Sequence, residues 1–238
     1  MRKFILIPLL VIFNIAFAAE KMTSYQESLD QYMQKSKSSK SPFSADDMAV
    51  MEKAAASLAK SMPDPGIKLG DVAPDFSLSN ALGDSVSLKD ELKKGPVVLV
   101  FYRGAWCPFC NLHLHALQKN LPQFKQLGAQ LITVTPQTPD KSAEQIKKDG
   151  LPFEVLSDLK SQVMKDYQLY IELPDDLLAV YKKHGLDIEA YNGKGRAVIP
   201  VPGTFVINQQ GIVVAKQAET DYKKRMEPAD IIKALKKI

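Results

Sequence analysis

Pro96–Leu117 reads PVVLVFYRGAWCPFCNLHLHAL, and the fold is decided by how this stretch is read. Pro96 to Tyr102 is a nearly unbroken apolar run rich in β-branched and aromatic residues, the pattern of a strand covered on both faces. A turn containing Gly104 follows. Trp106-Cys107-Pro108-Phe109-Cys110 then opens a helical pattern that sets Leu114, Leu117 and Leu121 on one face. Pro108 suits the first helical turn, where its missing N–H costs nothing. Cys107 and Cys110 are the 2 cysteines of the chain. Where a strand ends and a helix begins, unpaired backbone N–H groups and the positive end of the helix dipole stabilise an anion such as a thiolate. The placement points to redox chemistry. It expects two sulfurs side by side at the helix mouth, within bonding reach and open to a reacting partner.

Upstream, Ala73-Pro74-Asp75-Phe76 leads into Ser77-Leu78-Ser79, a turn around Gly83 and Ser85-Val86-Ser87-Leu88, which together predict a hairpin. Downstream, Pro122 is expected to kink or restart the cysteine helix. Ala129–Val134 reads as a second buried strand, Lys141–Lys148 as an exposed helix, Glu154–Leu156 as a third strand and Asp158–Tyr167 as another helix. Leu177, Leu178 and Tyr181 are helix-spaced before Gly185. Thr204–Asn208 and Ile212–Ala215 flank Gly211 as a hairpin, and Glu227-Pro228 begins a last helix with Ile231, Ile232 and Leu235 on its apolar face. Strands alternating with helices predict an α/β fold with a parallel or mixed sheet.

The N-terminal part differs in character. Met1-Arg2-Lys3, an apolar run from Phe4 to Phe17 and Ala16-Phe17-Ala18-Ala19 have the form of a secretory signal peptide cut after Ala18. The run is shorter than the roughly 20 residues of a spanning helix, so no stable membrane insertion is expected after cleavage, and a periplasmic or secreted location follows. Residues 19–66 read as a helical extension and linker: a weak, Lys- and Ser-rich segment, then a helix over Asp46–Lys60 capped by Ser44, with Met48, Met51, Ala55 and Leu58 on one face. Residues 67–238 form the main domain. The net charge of +4 falls to +2 once Arg2 and Lys3 leave with the leader, too little to argue for a nucleic-acid partner.

The pieces Ala73–Phe76, Val98–Tyr102 running into Trp106–Cys110, Thr133–Pro136 and Pro202–Asn208 before Gly211 together resemble the thioredoxin-like redoxins, specifically the peroxiredoxin-like alkyl hydroperoxide reductase/thiol-specific antioxidant family. The resemblance covers about residues 67–238. It implies a thioredoxin-like fold with a central mixed sheet flanked by helices, here carrying the N-terminal helical extension. It also implies thiol-dependent reduction of hydrogen peroxide or organic hydroperoxides, a thioredoxin-like or other thiol reductant, and no cofactor. The family's Pro-x-x-x-Thr/Ser-x-x-Cys motif places Cys110 at the peroxidatic position, Cys107 at the Thr/Ser position and Arg103 on the Pro. Pro202 falls where a later Arg is expected. The thioredoxin pattern instead matches Trp106, Cys107, Cys110 and a cis-proline at Pro202, which implies a thiol–disulfide oxidoreductase acting on protein disulfides.

In both readings Cys107, Cys110 and Arg103 carry the chemistry, with Trp106, Pro202 and Thr204 on the substrate side. Cys107 is expected to attack and Cys110 to resolve, or the reverse if the peroxiredoxin alignment governs. Arg103 would depress a thiolate pKa and orient a peroxide oxygen, and Arg196 and Arg225 are further candidates for that task. A metal site from Cys107, Cys110, His113 and His115 is disfavoured, because residues two apart point to different faces of a helix; a non-enzymatic copper- or thiol-binding chaperone is the corresponding third class. The choice of peroxide, the electron donor and a homodimer are left open by the sequence.

Overall fold

The computed structural model describes residues 22–37 and 41–238; the signal-peptide reading lies outside the described residues. A seven-stranded mixed sheet in the order β2-β1-β5-β4-β3-β8-β9 organises the chain. Its strands are β1 (Ser77–Asn80), β2 (Ser85–Ser87), β3 (Val97–Phe101), β4 (Gln130–Thr135), β5 (Glu154–Ser157), β8 (Gly203–Ile207) and β9 (Val213–Ala218). β3, β4 and β5 run parallel, whereas β8 joins β3 antiparallel, with Leu99 opposite Phe205. The helices are α1 (Tyr25–Lys37), α2 (Ala45–Ser61), α3 (Leu88–Lys94), α4 (Pro108–Gln126), α5 (Pro139–Asp149), α6 (Gln162–Asp166), α7 (Asp175–Lys183), α8 (Glu189–Asn192) and α9 (Pro228–Leu235). A separate ribbon pairs β6 (Tyr170–Glu172) with β7 (Val198–Pro200).

β3 is buried along its whole length because both faces of the sheet are covered. Val98 and Val100 pack with Leu117, Leu121 and Phe124 of α4 and Ile231 and Leu235 of α9. Val97, Leu99 and Phe101 face the other layer, with Ile132, Phe205, Met164 and Tyr167. Entry into β3 needs Gly95: at φ +154°, a Cβ there would fall 2.0 Å from the Gly128 carbonyl oxygen.

Some expectations are corrected. α4 runs through Pro122 without restarting. The one hydrogen bond that proline cannot donate is outweighed by burial of Leu121 and Phe124 on either side. The segment after β5 is helical only over Gln162–Asp166. α3, α8 and the β6–β7 ribbon carry no periodicity that short pieces of this length would display.

The described parts of the extension pack on the main domain. α1 lies on α4, where Tyr25 and Leu29 cluster with Ala116 and Leu112. α2 lies on α7, and Val50, Met51 and Ala54 pack near Leu173, Leu177 and Ile188. Ser44 and Asp47 form a capping box at its start. Lys183 reaches both Asp47 oxygens at 2.9 Å and His184 approaches at 3.1 Å. Those partners, with Ser44, hold the Asp47 carboxyl well below the usual carboxylate range. The bond tying α2 to α7 is therefore present at neutral pH and weakens only in strong acid.

Leu117 is 0% exposed between the sheet and α9, whereas Leu82 is 85% exposed at the β1–β2 turn. Leu117→Ala is expected to cost about 2–5 kcal/mol and Leu82→Ala within about 0.5 kcal/mol. Urea midpoints at unchanged m read both, and equal costs would contradict the assignment of the core.

Candidate active site

The site begins where β3 stops. Past Phe101 the chain turns at Gly104, whose φ of +144° and 2.5 Å separation from Trp106 Nε1 to any added Cβ exclude a side chain. The Cys107 N–H donates to Gly104 O at 3.1 Å. Cys107 is the N-cap residue of α4, and its Sγ accepts from the Cys110 N–H at 3.4 Å. A chain of uncharged polar groups fixes this turn. Gln137 Oε1 accepts from the Ala105 N–H at 2.7 Å, and Asn111 Nδ2 donates to Ala105 O at 2.7 Å. Gln145 Nε2 donates to Asn111 Oδ1 at 3.2 Å, and the Tyr102 hydroxyl donates to Gln145 Oε1 at 2.8 Å. The turn that carries the sulfurs is thus held by hydrogen bonds that add no charge of their own.

The two Sγ atoms lie 2.7 Å apart, against ~2.05 Å in a disulfide. Arg225 Nη2 donates toward Cys110 Sγ at 3.6 Å. Burial alone would raise the Cys110 pKa. The Cys107 S–H, the Arg225 and Arg103 guanidinium charges and a backbone bond to Arg103 outweigh it and bring the thiol well below its ordinary value. Cys107 moves the other way, raised by burial and by its bond to Cys110. Geometrically either sulfur could donate to the other; the nearer cation places the shared proton on Cys107 and the negative charge on Cys110. That ordering favours the second of the sequence alternatives, with Cys110 as the thiolate.

The expected openness of the pair is corrected. Cys107 and Cys110 are each 1% exposed, because Tyr102, Leu114, Leu151, Val155, Trp106 and Phe109 pack around them. Arg103 is buried as well. Its guanidinium stacks between Trp106 and Tyr222 at 4.8 and 4.6 Å from the ring centroids, and Nη2 donates to the Tyr181 hydroxyl at 3.2 Å. Burial works against the Arg103 charge, but the sulfurs and Tyr181 outweigh it and raise its pKa. Its Nε and Trp106 Nε1 are buried with no partner. An apolar cavity of about 1170 Å³ between α2, α7 and the β6–β7 ribbon is also bordered by Arg103, Tyr181, Tyr222 and Pro202. Neither cysteine lines it.

The other sequence candidates are distributed differently. Pro202 borders that cavity, but no peptide bond among the described residues is cis. The chain crosses there from β7 directly into β8, so no turn demands the cis form. Thr204 lies inside β8, opposite Val100 and Gln217, and is 1% exposed. Arg196 donates to the carbonyls of Pro136, Asn192 and Asp158, so it braces loops. His115 is half-buried beside Gln118. His113 is fully buried, with Nε2 at 3.1 Å from Met226 O, and burial drives its pKa down to about 3. It is therefore neutral, with the Nε2 proton donated to that carbonyl. Among the described residues no group of three or more His, Cys, Asp or Glu could hold a metal.

Tyr222, Gln137 and Gln145 escaped the sequence reading. Gln137 follows the Thr133–Pro136 piece and Gln145 lies in the helix read over Lys141–Lys148, but no spacing ties them or Tyr222 to the cysteines, and only the folded backbone collects them. Arg225 is one of the further sequence candidates for depressing a thiolate pKa, and it lies against Cys110 Sγ.

A model of the AhpC/TSA family matches residues 69–216. Peroxiredoxin Bcp of Escherichia coli (strain K12) is 31% identical over 106 residues, 44% of this chain and 67% of that protein. The chloroplastic peroxiredoxin Q of Oryza sativa subsp. japonica is 32% identical over 132 residues, 54% of this chain and 60% of its own length. Among solved structures, peroxidoxin BcpB from Mycobacterium tuberculosis shares the fold with a TM-score of 0.57 at 22% identity, covering 72% of this chain and 98% of that one. Peroxiredoxin Q of Xanthomonas campestris does so with a TM-score of 0.54 at 19% identity, covering 73% and 97%.

The buried His113 gives a pH dependence of stability. Unfolded, the imidazole takes up a proton near pH 6.5; folded, it stays neutral to about 3. The unfolded state then binds more protons, so stability falls as pH drops below the unfolded value. By pH 5 the loss from this group is about 2 kcal/mol. His113→Leu is expected to flatten the decline in unfolding free energy between pH 7 and pH 5 by about that amount. Equal slopes in the two proteins would remove His113 as its source.

Proposed function

The chain belongs to the AhpC/TSA family, and from that membership we infer that it is a thiol-dependent peroxidase working through the Cys107–Cys110 pair. Its substrates are hydroperoxides and its electrons come from a thioredoxin-type reductant. The observation that carries the assignment of roles is Cys110 Sγ, set 2.7 Å from Cys107 Sγ and 3.6 Å from Arg225 Nη2. A buried anion is stable only against such donors.

The Cys110 thiolate attacks the terminal peroxide oxygen. The O–O bond breaks, an S–O bond forms, and the alcohol or water leaves with a proton from solvent. Cys107 then attacks the Cys110 sulfenic acid, giving the Cys107–Cys110 disulfide and water. The sulfurs approach by less than about an ångström to bond, so α4 need not unfold. Two electrons and two protons from an external dithiol restore the pair. Cys107 also supplies, before it reacts, the hydrogen bond that the family motif takes from Thr or Ser. Arg103 borders the cavity, and its buried Nε, which has no partner in the protein, would bind a peroxide oxygen once the side chain is displaced. A hydroperoxide reaches Cys110 by displacing Arg103, Trp106 or Tyr222. One chain supplies every group named, so a second copy is not required. The protein-disulfide reading loses support because Pro202 is trans.

Export after cleavage at Ala18 stands on the sequence of residues 1–19 and is part of the same proposal; fractionation of cells expressing the full chain tests it. For the chemistry, Cys110→Ser is expected to abolish peroxide consumption. Cys107→Ser keeps a hydroxyl donor beside Cys110 but lacks a resolving thiol. It should consume a single equivalent of peroxide and stop, with a trappable sulfenic acid. The reverse pattern would make Cys107 the attacking sulfur, and full turnover in both variants would remove the pair from the reaction.

A further inference from the structure

Arg225 and α1 both lie outside residues 69–216, the part of the chain that the family model accounts for. They meet on one side of α4. The segment Lys223–Glu227 carries Arg225 and is anchored on both sides of it. Before Arg225, the Tyr25 hydroxyl donates to Lys223 O at 2.5 Å. After it, His113 holds Met226 O. The Glu227 carboxylate then accepts from the Tyr25 N–H at 3.0 Å and the Gln26 N–H at 2.7 Å, at the positive end of the α1 dipole. Arg225 itself is buried; its side chain donates to Lys224 O and toward Cys110 Sγ.

Tyr25 is 1% exposed and packs edge-on against His113 with centroids 5.4 Å apart. Burial raises its pKa to about 12, so the hydroxyl remains a donor at any working pH. Its hydroxyl donates to the Lys223 carbonyl and its N–H to the Glu227 carboxylate, one on each side of the cation. A chain that only needed α1 for core area would not require that geometry.

We propose that Tyr25 is a positioning residue of the active site: with Glu227 it pins the Lys223–Glu227 segment so that Arg225 stays against Cys110 Sγ. This rests on the reading of Cys110 as the reacting thiolate. The groups that face the pair are Arg103 from the β3–α4 turn, Arg225, Asp221 and Tyr222 from the C-terminal segment, Tyr102 at the end of β3, Tyr181 from α7, Tyr25 from α1 and Cys107 itself. Of these, Arg225 is the one that stands between the two groups Tyr25 binds, Lys223 O and the Glu227 carboxylate.

The test titrates the ultraviolet thiolate absorbance of the reduced full chain against pH, in wild type, Tyr25→Phe and Glu227→Gln. Each substitution removes one anchor with little change of volume. Both are expected to raise the thiolate midpoint by about half a pH unit or more, and the acid limb of peroxide consumption should move with it. In an Arg225→Ala background, Tyr25→Phe should add nothing, because it acts through the arginine. An unmoved midpoint in a folded Tyr25→Phe or Glu227→Gln protein would overturn the proposal. So would a rate loss equal at every pH, or a full Tyr25 effect persisting without Arg225. If the wild type consumes no peroxide, the peroxidase reading fails while the titration still decides the role of Tyr25.

Discussion

A negative charge on a sulfur that water does not reach is the condition around which this molecule is arranged. Desolvation works against it, and a single dipole at a helix mouth is a modest counterweight. The structure answers with two guanidinium groups, one S–H donor and a tight backbone turn. Arg103 is kept charged although buried, flanked by two aromatic faces and a tyrosine hydroxyl. Such rings give a cation favourable contact without neutralising it as a carboxylate would. Neither arginine is paired with an acidic side chain among the described residues, so no carboxylate offsets the charge they place beside the sulfurs.

The scaffold supplies rigidity for that arrangement. β3 is covered on both faces, and α4 is bound to the sheet through Leu117, Leu121 and Phe124. The turn between them is tied by Gln137, Asn111, Gln145 and Tyr102, whose hydrogen bonds close on each other. Because these groups are neutral, the site's electrostatics are left to the two cations and the shared thiol proton. Polar networks of this kind are stable when satisfied and costly when broken.

The N-terminal extension does more than lengthen the chain. α1 packs on the cysteine helix and is bonded to the C-terminal segment, whereas α2 packs on α7. α2 also supplies one wall of the cavity that Arg103 borders. The pair is closed off from solvent by the apolar and aromatic side chains packed around it, and Trp106 and Tyr222 flank the Arg103 that borders the neighbouring cavity. Exclusion of water strengthens the two arginine contacts for the same reason that it makes the anion costly.

Local patterns in the sequence were enough for the βα junction at Pro96–Leu117, the doubly buried strand, the α4 face, the Ser44 cap and the terminal hairpin, because each depends on residues within a few positions of one another. They also marked Cys107 and Cys110 as a pair, since two intervening residues span one helical turn. The order of attack was not legible. It depends on which sulfur lies nearer a cation, and Arg225 stands 115 residues beyond Cys110 in the chain. Nor was the burial of the pair, the trans form of Pro202 or the continuity of α4 through Pro122, each set by packing between distant segments. A thiol's charge state is a property of its three-dimensional surroundings, and no spacing of residues along a chain encodes a distance between two ends of it.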